Sequence, residues 1–135
     1  MQVTSFRVAL TVDNFDRVVA FYRDGLGLDP SELWADSGRG QLFWAGAASL
    51  EIFEPEYAAH IDHIEVSERV SGRIRFAFEV PDVQAAVAQA LNYGATLVHK
   101  PVLTPWGDLN VRLRSPDGLQ ITLFQTQKAE KKERN

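Results

Sequence analysis

Apolar and polar side chains alternate from Val3 to Val12, with Phe6, Val8, Leu10 and Val12 pointing one way and Arg7, Ala9 and Thr11 the other. That period of two predicts a strand with one face on a core. The period then changes: Phe15, Val18, Val19 and Tyr22 fall at helical spacing behind Asp13 or Asn14 as a cap, and Gly25 and Gly27 close the segment. The same succession returns later. Ile74 to Val80 alternates, Asp82 caps, Val83, Ala86, Val87, Ala90 and Leu91 form a helical stripe, and Gly94 ends it. At an offset of 68 residues the copies match at Arg7/Arg75, Ala9/Ala77, Val12/Val80, Val19/Val87 and Ala20/Ala88. The chain is therefore read as an internal repeat.

Short apolar runs separated by turn residues complete each copy. Leu33 to Ala35, Gln41 to Ala45 and Ser49 to Phe53 read as strands of the first module, with Asp36 to Gly40 and Gly46 in the turns. Thr96 to Val98, Leu109 to Arg114 and Leu119 to Phe124 read as strands of the second, with Ser115-Pro-Asp-Gly118 as a tight turn. The expected fold class is α+β, two βαβββ modules forming a curved mixed sheet around a cleft. Module one runs from about residue 3 to 54, a connector with one short helix around Tyr57 to Ile61 from 55 to 71, and module two from about 72 to 126. Together they are expected to make one domain over residues 1–127, followed by a disordered charged tail at 128–135.

Composition narrows the function classes. The tail holds four cations and two acids, so with −4 for the whole chain residues 1–127 carry −6. An acidic body disfavours nucleic acid, whose phosphates demand a basic surface. There is no cysteine, which excludes disulfides and thiolate catalysis. No apolar run approaches the length of a membrane span, and the N-terminus lacks a signal peptide's pattern, so a cytoplasmic protein with no membrane partner is expected. No Gly-x-Ser-x-Gly elbow is present. His60 and His63 lie in the connector beside Asp62 and Glu65 and read as surface residues; His99 stands alone near the cleft rim.

Thr11-Val12, Ala20-Phe-Tyr-Arg-Asp-Gly-Leu-Gly27, Thr104-Pro-Trp-Gly107 and Ser115-Pro-Asp-Gly118 running into Ile121-Thr-Leu-Phe124 resemble the vicinal oxygen chelate superfamily. That superfamily groups glyoxalase I, extradiol dioxygenases, fosfomycin-resistance enzymes and bleomycin-resistance proteins. The resemblance extends from about Val3 to Phe124 and implies a homodimer with clefts at or near the subunit interface. In the metal-dependent members, the first and last strands of each module supply the ligands. Here those positions fall on Arg7 and Arg75, and on Glu51 and Thr122. Arginine stays protonated and offers a metal no lone pair, and a lone Thr hydroxyl is a poor ligand. No metal and no cofactor are expected.

Strand parity places Arg7, Ala9, Thr11, Glu51, Arg75, Ala77, Glu79, Gln120 and Thr122 on one face. Two readings of the arginines stand side by side. In one, Arg7 pairs with Glu51, and Arg75 with Glu79, Asp82 or another acid, as an ion-pair plug. In the other, an arginine clamps a ligand's carboxylate, phosphate or enolate oxygen. Trp44 and Trp106 are expected to wall the cleft, Asn110 and Arg112 to line its rim, and Phe53 and Phe124 to belong to the core. The expected ligand-binding set is Arg7, Trp44, Glu51, Arg75, Trp106, Arg112 and Thr122, with Glu51 as the candidate catalytic base. The reading favoured is metal-independent binding of a small organic molecule, planar or anionic, as in the bleomycin-resistance branch. The alternative is a glyoxalase-like lyase or isomerase, or a dioxygenase-type enzyme, with a non-standard site.

Overall fold

The computed structural model describes residues 2–68, 70 and 72–126; the expected disordered tail lies outside them. Eight strands form one mixed sheet: β1 (Ser5–Thr11), β2 (Asp29–Trp34), β3 (Gly40–Ala45), β4 (Ala48–Phe53), β5 (Ile74–Glu79), β6 (Thr96–Leu103), β7 (Asp108–Arg114) and β8 (Gln120–Thr126). Their order is β2-β3-β4-β1-β5-β8-β7-β6. Each module contributes one half, and the halves join where β1 runs antiparallel to β5, pairing Arg7 with Ala77 and Ala9 with Arg75. Helix α1 (Phe15–Ala20) runs into a π turn at Phe21–Gly25; α2 is Pro55–Val66 and α3 is Val83–Asn92. Among the described residues no helix is long and apolar enough to cross a membrane.

The predicted stripes pack as two equivalent cores. Phe15 and Val19 of α1 meet Phe43 and Ile52, with Leu10 and Val12 against them. Val83 and Ala86 of α3 meet Val80, Val111, Leu113 and Leu123. Phe43, Ile52, Val83 and Ala86 have no exposed surface, and each large apolar side chain so buried contributes about 1.5–3 kcal/mol. α3 is capped by Asp82, whose Oδ1 accepts from the amides of Gln84 and Ala85. Asn14 stands at the start of α1 but makes no side-chain cap.

The connector departs from expectation. Its helix spans the whole of Pro55–Val66, and the residues it buries are Ala58, Ile61, Asp62, Glu65 and Val66. That is a helical stripe with two acids in it, so Asp62 and Glu65 are core residues rather than the solvated surface expected. His60 and His63, on the other side, are exposed as predicted. The helix is seated by the turn before β3. A Cβ on Gly38, whose φ is +86°, would meet the Tyr57 backbone nitrogen at 2.6 Å, so only glycine lets that turn lie against the start of α2. Two strands are also longer than their apolar runs: β2 begins at Asp29 and β6 continues to Leu103. Both are edge strands, where polar residues and Pro30 or Pro101 are tolerated.

Candidate functional site

Arg7, Glu51, Arg75 and Thr122 line one cavity of ≈ 400 Å³ together with Trp44 and Trp106. Residues of β2, β3 and β7, remote in the strand order, border the same space, so the sheet curls around it. The volume lies within the ordinary range for small-molecule sites, about 300–1,000 Å³. Tyr57, Ile61 and Glu65, at successive helical turns of α2, close one side. Phe53 and Phe124 are core residues, as expected, that also touch the cavity.

Neither arginine forms the ion pairs considered for it. Among the described residues, Arg7 has no carboxylate partner and lies with its guanidinium 4.6 Å above the centre of the Phe124 ring, a cation–π contact. Arg75 is buried and donates from Nη1 to Thr122 Oγ1 at 3.1 Å, which occupies one of its five N–H groups. The acids proposed for Arg75 are engaged elsewhere: Glu79 accepts from Ser5 and Thr126, and Asp82 caps α3. Ala9 and Ala77 sit opposite Arg75 and Arg7 in the β1–β5 register, and Ala77 borders the cavity beside the two cations.

Glu51 borders the void, and among the described residues its carboxyl has no hydrogen-bond partner. Burial raises its pKa above the usual carboxylate value; Arg75 and Arg7 pull it down, while Glu65 and Glu32 push the same way as burial. Tyr57 is likewise pushed up to about 12, chiefly by burial and then by Glu51, so its hydroxyl stays protonated.

Arg112 is not at the rim. Its side chain is 0% exposed, and it lies behind the cavity wall rather than on it. Its Nη1 reaches Asp62 Oδ1 at 3.0 Å and its Nη2 reaches Glu65 Oε1 at 2.8 Å. Strand parity was right about the face; the missing fact was that α2 covers that face in the second module. Thr122 is consumed by the same network, accepting from Arg75 and from Arg112 Nε and donating to Glu65 Oε1. Asn110 does border the cavity, as expected, and its amide donates to Glu65 Oε2 at 3.1 Å. Glu65 is thus the residue sequence reasoning missed. The module-two counterpart of Glu51 is Thr122, since both pair with the repeated alanine, and the carboxylate there arrives from the connector instead. His99 is on β6, bonded through Nδ1 to the Lys100 carbonyl.

The four positions that hold a metal in the metal-dependent members carry two guanidiniums, one carboxyl and one hydroxyl already saturated by hydrogen bonds. This donor set does not fit a metal ion. Among the described residues no three His, Asp or Glu side chains converge elsewhere.

The profile of the Glyoxalase/Bleomycin resistance protein/Dioxygenase superfamily matches residues 5–123. The chain belongs to that superfamily. No curated protein sequence matches it, but solved structures share the fold. A hypothetical protein from Bacillus halodurans is 15% identical, with a TM-score of 0.69 over 94% of this chain and 96% of its own. A superfamily member from Vibrio splendidus is 12% identical, with a TM-score of 0.67 over 92% and 99%. Streptomyces coelicolor methylmalonyl-CoA epimerase, solved with 2-nitronate-propionyl-CoA, is 20% identical, with a TM-score of 0.65 over 93% and 99%. At such identities the likeness speaks for the fold alone.

Proposed function

We propose that the chain binds a small organic anion in this cavity without a metal ion. One observation carries the reading: two arginines, Arg7 and Arg75, stand at the cavity floor with no carboxylate partner among the described residues. A buried cation left unpaired costs several kcal/mol, and a bidentate carboxylate or enolate oxygen pair removes that cost. Arg75 is the anchor, Arg7 the second cation, and Trp44 and Trp106 the walls. Arg112 and Thr122 serve by holding Arg75 and Glu65 in place. Metal analysis after soaking in Zn²⁺, Ni²⁺, Mn²⁺ and Fe²⁺ tests the reading: no metal remains near one per chain, and simple carboxylates raise the melting temperature. Retention of one metal per chain overturns it.

A second reading keeps the same pocket and adds chemistry. Glu51 faces the void without a hydrogen bond and with its pKa raised by burial, which suits a group that takes up and returns a proton at the cavity. A metal-free isomerase or lyase is the enzyme this favours, and its turnover survives chelation and disappears in Glu51→Gln. By analogy with the superfamily, either activity belongs to a cytoplasmic homodimer; light scattering and cell fractionation check those two points.

A further inference from the structure

The chain has three tryptophans, and all three, Trp34, Trp44 and Trp106, line the ≈ 400 Å³ cavity that Arg7 and Arg75 border. They come from different elements. Trp34 ends β2 and stacks on Tyr57 of α2, ring centres 5.7 Å apart and planes within 5° of parallel. Trp44 is near the end of β3, and Trp106 lies in the turn between β6 and β7. The β3 and β7 arms are separated by four strands in the sheet order, so these two indoles flank the opening from opposite sides. Both are largely open to solvent, at 51% and 44%. Arg75, by contrast, is 8% exposed. The cavity is therefore graded, with flat apolar surfaces outside and charged groups inside, where Arg7 and Arg75 stand beside Glu51 and beside Glu65, whose charge is met by Arg112.

Two features of that gradient point to a ligand rather than to packing. An indole buried for stability is covered by its own protein, whereas Trp44 and Trp106 leave about half their surface in water next to a concave space. Another part of the lining, the Trp34–Tyr57 stack, is also flat. A Cβ on Gly40 would come within 2.9 Å of the Trp34 ring and 3.1 Å of the Tyr57 ring, so the glycine leaves room for the parallel stack. Flat walls select flat ligands, because offset stacking and edge contacts need a ring on both sides.

Resting on the anion-binding reading above, we infer that the ligand is a planar aryl carboxylate, bound with its carboxylate on Arg75 and its ring between Trp44 and Trp106. A single negative charge is the best match, because Glu51 shares the floor with the two arginines and a dianion would crowd it. Trp44 and Trp106 are then the specificity-determining residues. They distinguish a flat ring from a puckered one of equal size.

The test uses four defined compounds: 2-naphthoate, benzoate, cyclohexanecarboxylate and 2-naphthamide. Each is titrated by calorimetry, with tryptophan emission as a second readout. Since every tryptophan borders the cavity, bound 2-naphthoate changes the emission of the whole protein. The expected order places 2-naphthoate and benzoate about tenfold or more tighter than cyclohexanecarboxylate, the discrimination that two stacking contacts supply. Trp106→Leu, a change in an exposed turn, reduces that preference to within about twofold. Should the variant fold poorly, the order of the four compounds on the unaltered protein still decides. Equal binding of cyclohexanecarboxylate and benzoate overturns the aromatic assignment and leaves anion binding standing. Equal binding of 2-naphthamide and 2-naphthoate overturns the anion reading, and this inference with it, as does failure of all three acids to bind.

Discussion

Arg112 Nη2 lies 2.8 Å from Glu65 Oε1, with 0% of one side chain and 4% of the other exposed. This contact, with its partner between Arg112 and Asp62, holds the connector helix onto the sheet and so shapes the cavity wall. Removing one member of a buried pair leaves the other charge stranded, which typically costs about 3–5 kcal/mol. Arg112→Met is expected to lower unfolding stability by that amount in urea titrations. Glu65→Gln keeps the shape but turns one acceptor oxygen into a donor, and because Arg112 retains Asp62 it is expected to cost less than Arg112→Met. Equal, negligible effects for both would show that the connector helix is not held by these charges.

Glu51 makes stability depend on pH in a definite direction. Burial raises its folded-state pKa above the ordinary 4.5. Above that ordinary value the unfolded chain has released this proton while the folded chain retains it. The folded state then binds more protons, so stability falls as pH rises, until folded Glu51 has itself ionised, and stays level beyond. Glu51→Gln removes this loss. The melting temperature of the variant is expected to match wild type near pH 4 and to exceed it as pH rises above 4.5, by a margin that then levels off. A gap that stays constant with pH would contradict the assignment.

The two modules start their helices differently, and stability measurements can separate them. Asp82 Oδ1 accepts two backbone amides at 3.1 and 3.2 Å, so Asp82→Ala is expected to cost about 1 kcal/mol. Asn14 occupies the equivalent place without a side-chain hydrogen bond. Asn14→Ala is expected to cost no more than a few tenths of a kcal/mol. Chemical denaturation of the two variants side by side checks the contrast.

Most of the architecture was legible because it repeats. The alternation around Arg7 and Arg75 and the stripes of α1 and α3 are periodic, and they recover the two cores and the strands between them. Six of the seven residues expected at the site share the cavity, five of them on strands whose parity settles which side chains face it and Trp106 in the turn between β6 and β7. The exception, Arg112, shows what parity leaves out. Its face was assigned correctly, but a face can be covered, and the cover comes from a segment whose charges read as solvent-exposed. Ala58, Ile61, Asp62, Glu65 and Val66 do fall on one helical stripe; treating acids as polar by default hid it. The cue was available in β7, where Asn110 and Arg112 alternate with buried Val111 and Leu113 on a face that must find partners. The non-pairing of Arg7 with Glu51 was not legible at all: β1 and β4 are direct neighbours, with Arg7 opposite Ser49 and Glu51 opposite Ala9, and only the direction of the side chains puts the guanidinium over Phe124 instead.

Calorimetric titration of benzoate into chelator-treated protein, wild type against Arg75→Met, tests the central claim most directly. Binding is expected to survive removal of metals and to weaken by about tenfold or more in the variant, the loss expected when a charge-assisted hydrogen-bond pair is removed. Affinity that vanishes with the chelator and returns with Zn²⁺, or that is the same in both proteins, contradicts it.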